Sequence, residues 1–156
     1  MLTPQKIMDQ LEELIRAEFP GEDVHQDLVP SGFTRPCTLV ELTGCDGLLT
    51  VSTGGVEMRP RFTITTFVEV DEYHHSHLAK LHERQMRLVA LLIPGFIRVD
   101  GRAAKVVDPA KLGGGFDFDT VEVTLAYHLS RRDFIPTAQV PLMEHLQLET
   151  EVRTYE

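Results

Sequence analysis

The chain has 156 residues, enough for one domain with its own core, and its 42% hydrophobic and 25% charged residues are an ordinary globular balance. Its net charge is −9, from 24 acidic against 15 basic side chains, with no Trp and no basic run. That argues against tight or sequence-specific nucleic-acid binding, which needs Lys and Arg to release counterions from phosphates. The longest apolar stretch, LVALLIPGFI, is about half a bilayer span, so no membrane crossing is expected. MLTPQKIMDQLEELI lacks a basic-then-apolar signal pattern, and the product is expected to be cytosolic at synthesis.

Thr3-Pro4 reads as a helix start, a capping residue followed by a proline suited to the first helical position. Ile7, Leu11, Leu14, Ile15 and then Ala17 or Phe19 recur at helical spacing, and Pro20-Gly21 ends the helix. A short extended piece over 24–29 leads to a turn at Pro30-Ser31-Gly32. Residues 37–45 read as a strand, with Pro36 at its start, where strands tolerate proline. Eight residues of strand span roughly 26 Å, so Cys37 and Cys45 are expected to be reduced thiols in or near the core. Residues 47–70 read as a hairpin turning at Gly54-Gly55. In its second arm Phe62, Ile64, Thr66, Val68 and Val70 alternate with polar neighbours. Pro60 places the first half of that arm at an edge or in a projecting ribbon.

A second helix is expected over 72–92, capped by Asp71 or Ser76, with Leu78, Leu81, Leu88, Val89 and Leu92 as its buried stripe. Pro94-Gly95 stops it. Residues 96–99 and 102–107 flank Asp100-Gly101, a strong hairpin signal. PAKLGGG, residues 109–115, reads as a loop, and Val121, Val123, Leu125, Tyr127 and Leu129 alternate along a last long strand. From Pro136 the pattern fits either a short helix or an added strand. The expected fold is α+β: a mainly antiparallel sheet, two principal helices packed on one face, and a projecting β-hairpin. It occupies residues 1–135, with 136–156 as a C-terminal extension.

Four histidines crowd the stretch DEYHHSHLAKLHE. Placed on a continuous helix, His74 falls on the leucine stripe, His77 on one flank, and His75 and His82 on the other, two turns or about 10 Å apart. No three converge on one ion, whereas zinc sites need three or four protein ligands, and the HExxH pattern is missing. The stretch reads as a helix start with its histidines near solvent, ahead of a metal shared between chains of an oligomer or a pH-sensitive interface. Ser31-Gly32 is not a GxSxG elbow, and Gly113-Gly114-Gly115 lacks the Lys-Ser/Thr of a phosphate loop. Asp117 and Asp119 read as a solvated turn rather than an acidic pair, and Cys37 as an inert strand thiol. Nothing in these patterns builds an active site, and neither enzymatic activity nor a cofactor is expected.

The stretch FPGEDVHQDLVPSGFTRPCTLVEL, residues 19–42, carries a different signal. Phe19-Pro20 closes the first helix, Val24 lies in a short strand, Gly32-Phe33 ends a turn, and Pro36-Cys37 opens a core strand. This order resembles the N-terminal signature of bacteriophage tail terminator (tail completion) proteins, and the resemblance extends over residues 3–131. Ser31 stands where that family tends to have Gln. Independently of the family, Gly32 would permit the turn, Phe33 would pack under the first helix, and Pro36 would set the strand's entry.

The resemblance implies a virion structural protein whose copies form a ring, a hexamer. That ring would cap the tail tube, end tail polymerisation, and join the tail to the head or connector proteins; the alternative readings are another head–tail connector or tail tube component, or a small metal-binding cytosolic protein using the 74–82 histidines. Its implied partners are further copies of itself, the tail tube protein, head-completion or connector proteins, and the sheath in contractile systems. The candidate contact arm toward a neighbour or the tube is the hairpin carrying Thr50, Val51, Gly54, Gly55, Val56, Met58 and Arg59. An acidic lumen would repel passing DNA and give the −9 charge a use.

Overall fold

Thr3 is extended, and its hydroxyl accepts the Lys6 N–H at 3.3 Å, starting α1 (Pro4–Glu18) as its sequence requires. Ile7, Met8, Leu11 and Ile15 bury one face, and Phe19 closes the helix by donating its N–H to the Ile15 carbonyl. These elements come from a computed structural model that describes residues 1–108 and 110–134. The ambiguous tail from Pro136 and the end of the 1–135 domain lie outside the described residues.

β1 (Asp23–Gln26) pairs in parallel with β2 (Cys37–Ser52), and β3 (Gly55–Phe67) returns antiparallel to β2. After α2 (Leu78–Leu92) come β4 (Phe96–Val99), β5 (Arg102–Val106), β6 (Lys111–Gly114) and β7 (Asp119–Ser130). The sheet runs β1-β2-β3-β7-β5-β4, with β6 also on β7. Apart from β1–β2, every strand pairing among the described residues is antiparallel. The fold is therefore α+β. Asp100 and Gly101 both have positive φ, as the tight turn joining β4 to β5 requires.

The cross-strand pairs Val40–Ile64, Ile64–Val121 and Phe62–Val123 line up on one face. They share a core with Ile7, Leu11 and Ile15 of α1 and Leu88 and Leu92 of α2. Both helices therefore pack on that face. Full burial of each such side chain contributes about 1.5–3 kcal/mol, which is what holds the helices to the sheet.

Several expectations change. The second helix begins at Leu78, not at residue 72. Asp71 instead folds the preceding segment: its Oδ1 accepts the N–H groups of Tyr73 and His75, His74 has positive φ, and Val70 bridges Ser76. Neither Asp71 nor Ser76 caps α2; His77 holds the N-cap position without a side-chain bond. Leu78 is consequently exposed, while Arg84 joins the buried face. The 109–115 loop contains a strand, β6. A Cβ on Gly113 would press on Thr120 Oγ1, and one on Gly114 would collide with Asp119, so the glycines let β6 close onto β7.

The turn after β2 is Thr53-Gly54, one residue earlier than expected, and Gly55 opens β3. β2 extends to Ser52, leaving Cys37 in the core and Cys45 exposed. Burial pushes the Cys37 thiol up to about 11, so it stays protonated and inert. The first half of β3 is not an edge, because Gly55–Met58 pair with Ser130–Tyr127 of β7. Pro60 is accommodated where that ladder is interrupted, between Met58–Tyr127 and Arg61–Thr124. Phe33 does not pack under α1. It stacks on Phe67 with ring centroids 5.0 Å apart, and Phe67 pairs across the sheet with Cys37, out of step with the core residues Phe62 and Ile64.

Candidate functional site

β1 covers only the first turn of β2's edge. Its pairing with β2 ends at Gln26–Val40, and Asp27, at positive φ, finishes it by bonding Val40 O and Leu42 N. From Thr43 to Ser52, among the described residues, the β2 edge away from β3 has no strand partner. An open edge offers unpaired N–H and C=O groups to another chain. Register shifts at Leu42/Gly44, Asp46/Leu49 and Thr50/Ser52 roughen it, which limits indiscriminate pairing. Leu49 and Val51 are 41% and 57% exposed along it.

The expected arm residues divide between surface and core. Thr50 and Val51 are exposed, Gly54 sits in the turn, and Gly55 is half-buried beside Ser130. Val56 belongs to the core and Met58 packs against it. Arg59 donates to Glu57 at 2.6 Å. The turn is tied to the end of β7: the Arg131 N–H donates to Gly54 O at 2.9 Å, and its guanidinium donates to Thr50 Oγ1 at 3.0 Å.

The motif residues sit at structural joints. Phe19 lies under the guanidinium groups of Arg84 and Arg87, at 4.1 and 4.4 Å from its ring centre. Pro20 is exposed past the helix end, Gly32 has φ +75°, and Cys37 begins β2 behind Pro36. Arg84 itself was not legible as a core residue. Its Nη1 and Nη2 donate to both Glu22 oxygens at 2.9 and 2.6 Å, and its Nε donates to Thr66 Oγ1 at 2.9 Å. The only hint in the sequence was its position, one turn from Leu81 and Leu88.

Asp117 and Asp119 do not form a solvated turn. Asp117 takes a two-pronged bond from Arg35 at 2.9 and 2.7 Å, plus the Ser76 hydroxyl at 2.9 Å. The Arg35 hydrogen bond, followed by Ser76, holds its carboxyl below the usual range against the opposing effect of burial. Its stabilisation is present above the unfolded value of 3.8 and lost as pH falls through the lowered folded value. Asp117→Asn is expected to cost about 1 kcal/mol at neutral pH and to flatten the acid limb of a urea-stability profile. An unchanged limb would show that this pair is screened.

Asp119 is buried, and among the described residues its Oδ2 has no hydrogen-bond partner. Burial raises its carboxyl, opposed by His82, whose Nε2 lies 3.8 Å away. His74, His75 and His77 are all exposed in the segment before α2. Among the described residues no group of three His, Cys, Asp or Glu side chains is arranged to hold a metal. No helix of the described residues is long and apolar enough to cross a membrane. No family model matches the chain, and no curated protein matches it either.

Proposed function

We propose that the chain is a ring-forming tail terminator of a phage or phage-like tail, a hexamer that caps the tube, stops its polymerisation and meets the head or connector proteins. The observation that carries this reading is the open β2 edge from Thr43 to Ser52. A ring needs a head-to-tail interface, made from two different surfaces of one chain. The sheet offers unlike edges: the open part of β2 at one side, and at the other β4, which carries the exposed Phe96 just after the exposed Ile93 at the end of α2, with β6 beside it on β7. The motif from Phe19 to Cys37 supports the same reading, because its residues set α1, the turn and the β2 entry that fix this edge. The hairpin tip projects toward a neighbour or the tube, with Thr50, Val51 and Gly54 in contact, while Val56 and Met58 anchor it. The mechanism is surface complementarity, with no chemical step.

Native mass spectrometry of the purified protein tests this directly. The expected result is a six-fold assembly, or a monomer that becomes six-fold when tail tubes are added. The double variant Leu49→Asp/Val51→Asp is expected to keep the wild-type far-UV spectrum and to remain a monomer in both conditions. Long cylinders would point to a tube component instead. A wild-type monomer or dimer, unmoved by tubes, would end the terminator reading.

A further inference from the structure

β6 and α2 flank a shallow, open cleft of about 290 Å³ that the assembly reading does not use. Its walls are His82 and Gln85 of α2, Leu112, the Gly113–Gly115 backbone, and Asp119 at the start of β7. The Asp119 side chain is only 5% exposed, and among the described residues its buried Oδ2 has no hydrogen-bond partner. A buried carboxylate left this way is costly and calls for a donor. His82 is the nearest, but it stands 3.8 Å off, beyond a hydrogen bond, and is mostly in solvent.

The other groups narrow the class of ligand. Gln85 Nε2 is committed to Gly113 O and Thr120 O, at 2.8 and 2.9 Å. That leaves its side-chain oxygen as an acceptor. Two acceptors and no committed cation favour a ligand rich in N–H donors. The glycine wall has no side chains, so a flat group can lie against the peptide planes of Gly113–Gly115. A metal ion fits less well, since His82 and Asp119 are only two ligands. A guanidinium is planar, permanently charged and shaped to fork onto a carboxylate, whereas an ammonium is a compact point charge.

We propose that this cleft binds a guanidinium group at Asp119, supplied by a small molecule or by an arginine of a neighbouring chain. Asp119 provides the charge, Gln85 a second acceptor, and the Gly113–Gly115 backbone the flat floor. His82 stands at the mouth.

The test is an amide and imidazole NMR titration of the full chain with N-methylguanidinium, with methylammonium as the comparison. Expected are saturable shifts at Gly113–Gly115 and at the His82 ring with N-methylguanidinium, and weaker, non-saturating shifts with methylammonium. Asp119→Asn, which preserves size, should abolish saturation; His82→Gln should retain it. Absence of saturation in the wild type overturns the proposal without any variant. So does equal binding of the two probes, or binding that survives Asp119→Asn. The source is separated by native mass spectrometry: Asp119→Asn weakens assembly if a neighbour's arginine fills the cleft, and leaves it intact if a small molecule does. The titration does not require a ring, so its outcome is independent of the terminator reading.

Discussion

Arg84→Ala is expected to lower stability by about 3–5 kcal/mol, the loss typical of removing one partner from a buried ion pair. Arg84 is 8% exposed and joins four elements of the architecture. It reaches from α2 to Glu22 before β1, to Thr66 on β3 and toward Thr38 on β2, while its plane covers Phe19 at the end of α1. Truncation strands the Glu22 carboxylate, leaves the buried Thr66 hydroxyl without its donor, and opens space above Phe19. Arg84→Lys keeps the charge but not the fork that spans both Glu22 oxygens, so it should recover only part of the loss. The double variant Arg84→Met/Glu22→Leu should recover more, because it removes both charges together and keeps apolar volume. Urea unfolding reads this as a fall in midpoint at constant slope. A loss below about 1 kcal/mol for Arg84→Ala would place the pair among solvent-screened surface bridges.

Asp119→Asn should move stability the other way, raising it by about 1–2 kcal/mol at neutral pH, the scale of a buried polar group relieved of its unmet bonding. Burial raises the Asp119 carboxyl above its unfolded value of 3.8, with His82 opposing. The folded state therefore holds that proton more tightly than the unfolded state. Stability falls as pH rises from 3.8 through the folded value, and the deficit persists at neutral pH. Asn carries no such charge, so the gap between variant and wild type should be widest at neutral pH and close on acidification. This slope is opposite in sign to that of Asp117, two residues away, whose charge is held by Arg35. A pH-independent difference between Asp119→Asn and wild type would show that Asp119 is already satisfied in solution. A stabilising substitution at Asp119 also accords with a group retained for binding, since such sites often cost stability.

Much of what near neighbours govern was already legible in the sequence. Thr3-Pro4 starts α1 and Phe19-Pro20 ends it, because capping and proline geometry act within one turn. Asp100-Gly101 makes the β4–β5 turn, because only those residue types enter positive φ cheaply. The alternation in β3 and β7 named their buried faces, and with the helices it gave the α+β class. The tertiary structure decided whatever depends on a distant partner. β6 exists because β7 lies beside it, and its glycines look like a loop until Thr120 and Asp119 are seen pressing on them. Asp71 looked like a helix cap, but it ties a separate turn, and α2 waits until Leu78. Pro60 read as an edge marker and lies inside the sheet, where a gap in the β7 ladder spares its missing N–H. Arg84 and Asp119 are both charged residues drawn inside by long-range packing, one matched by Glu22 and one left open toward a cleft. Periodicity records which face is apolar; it carries no information about which charge finds a partner across the fold.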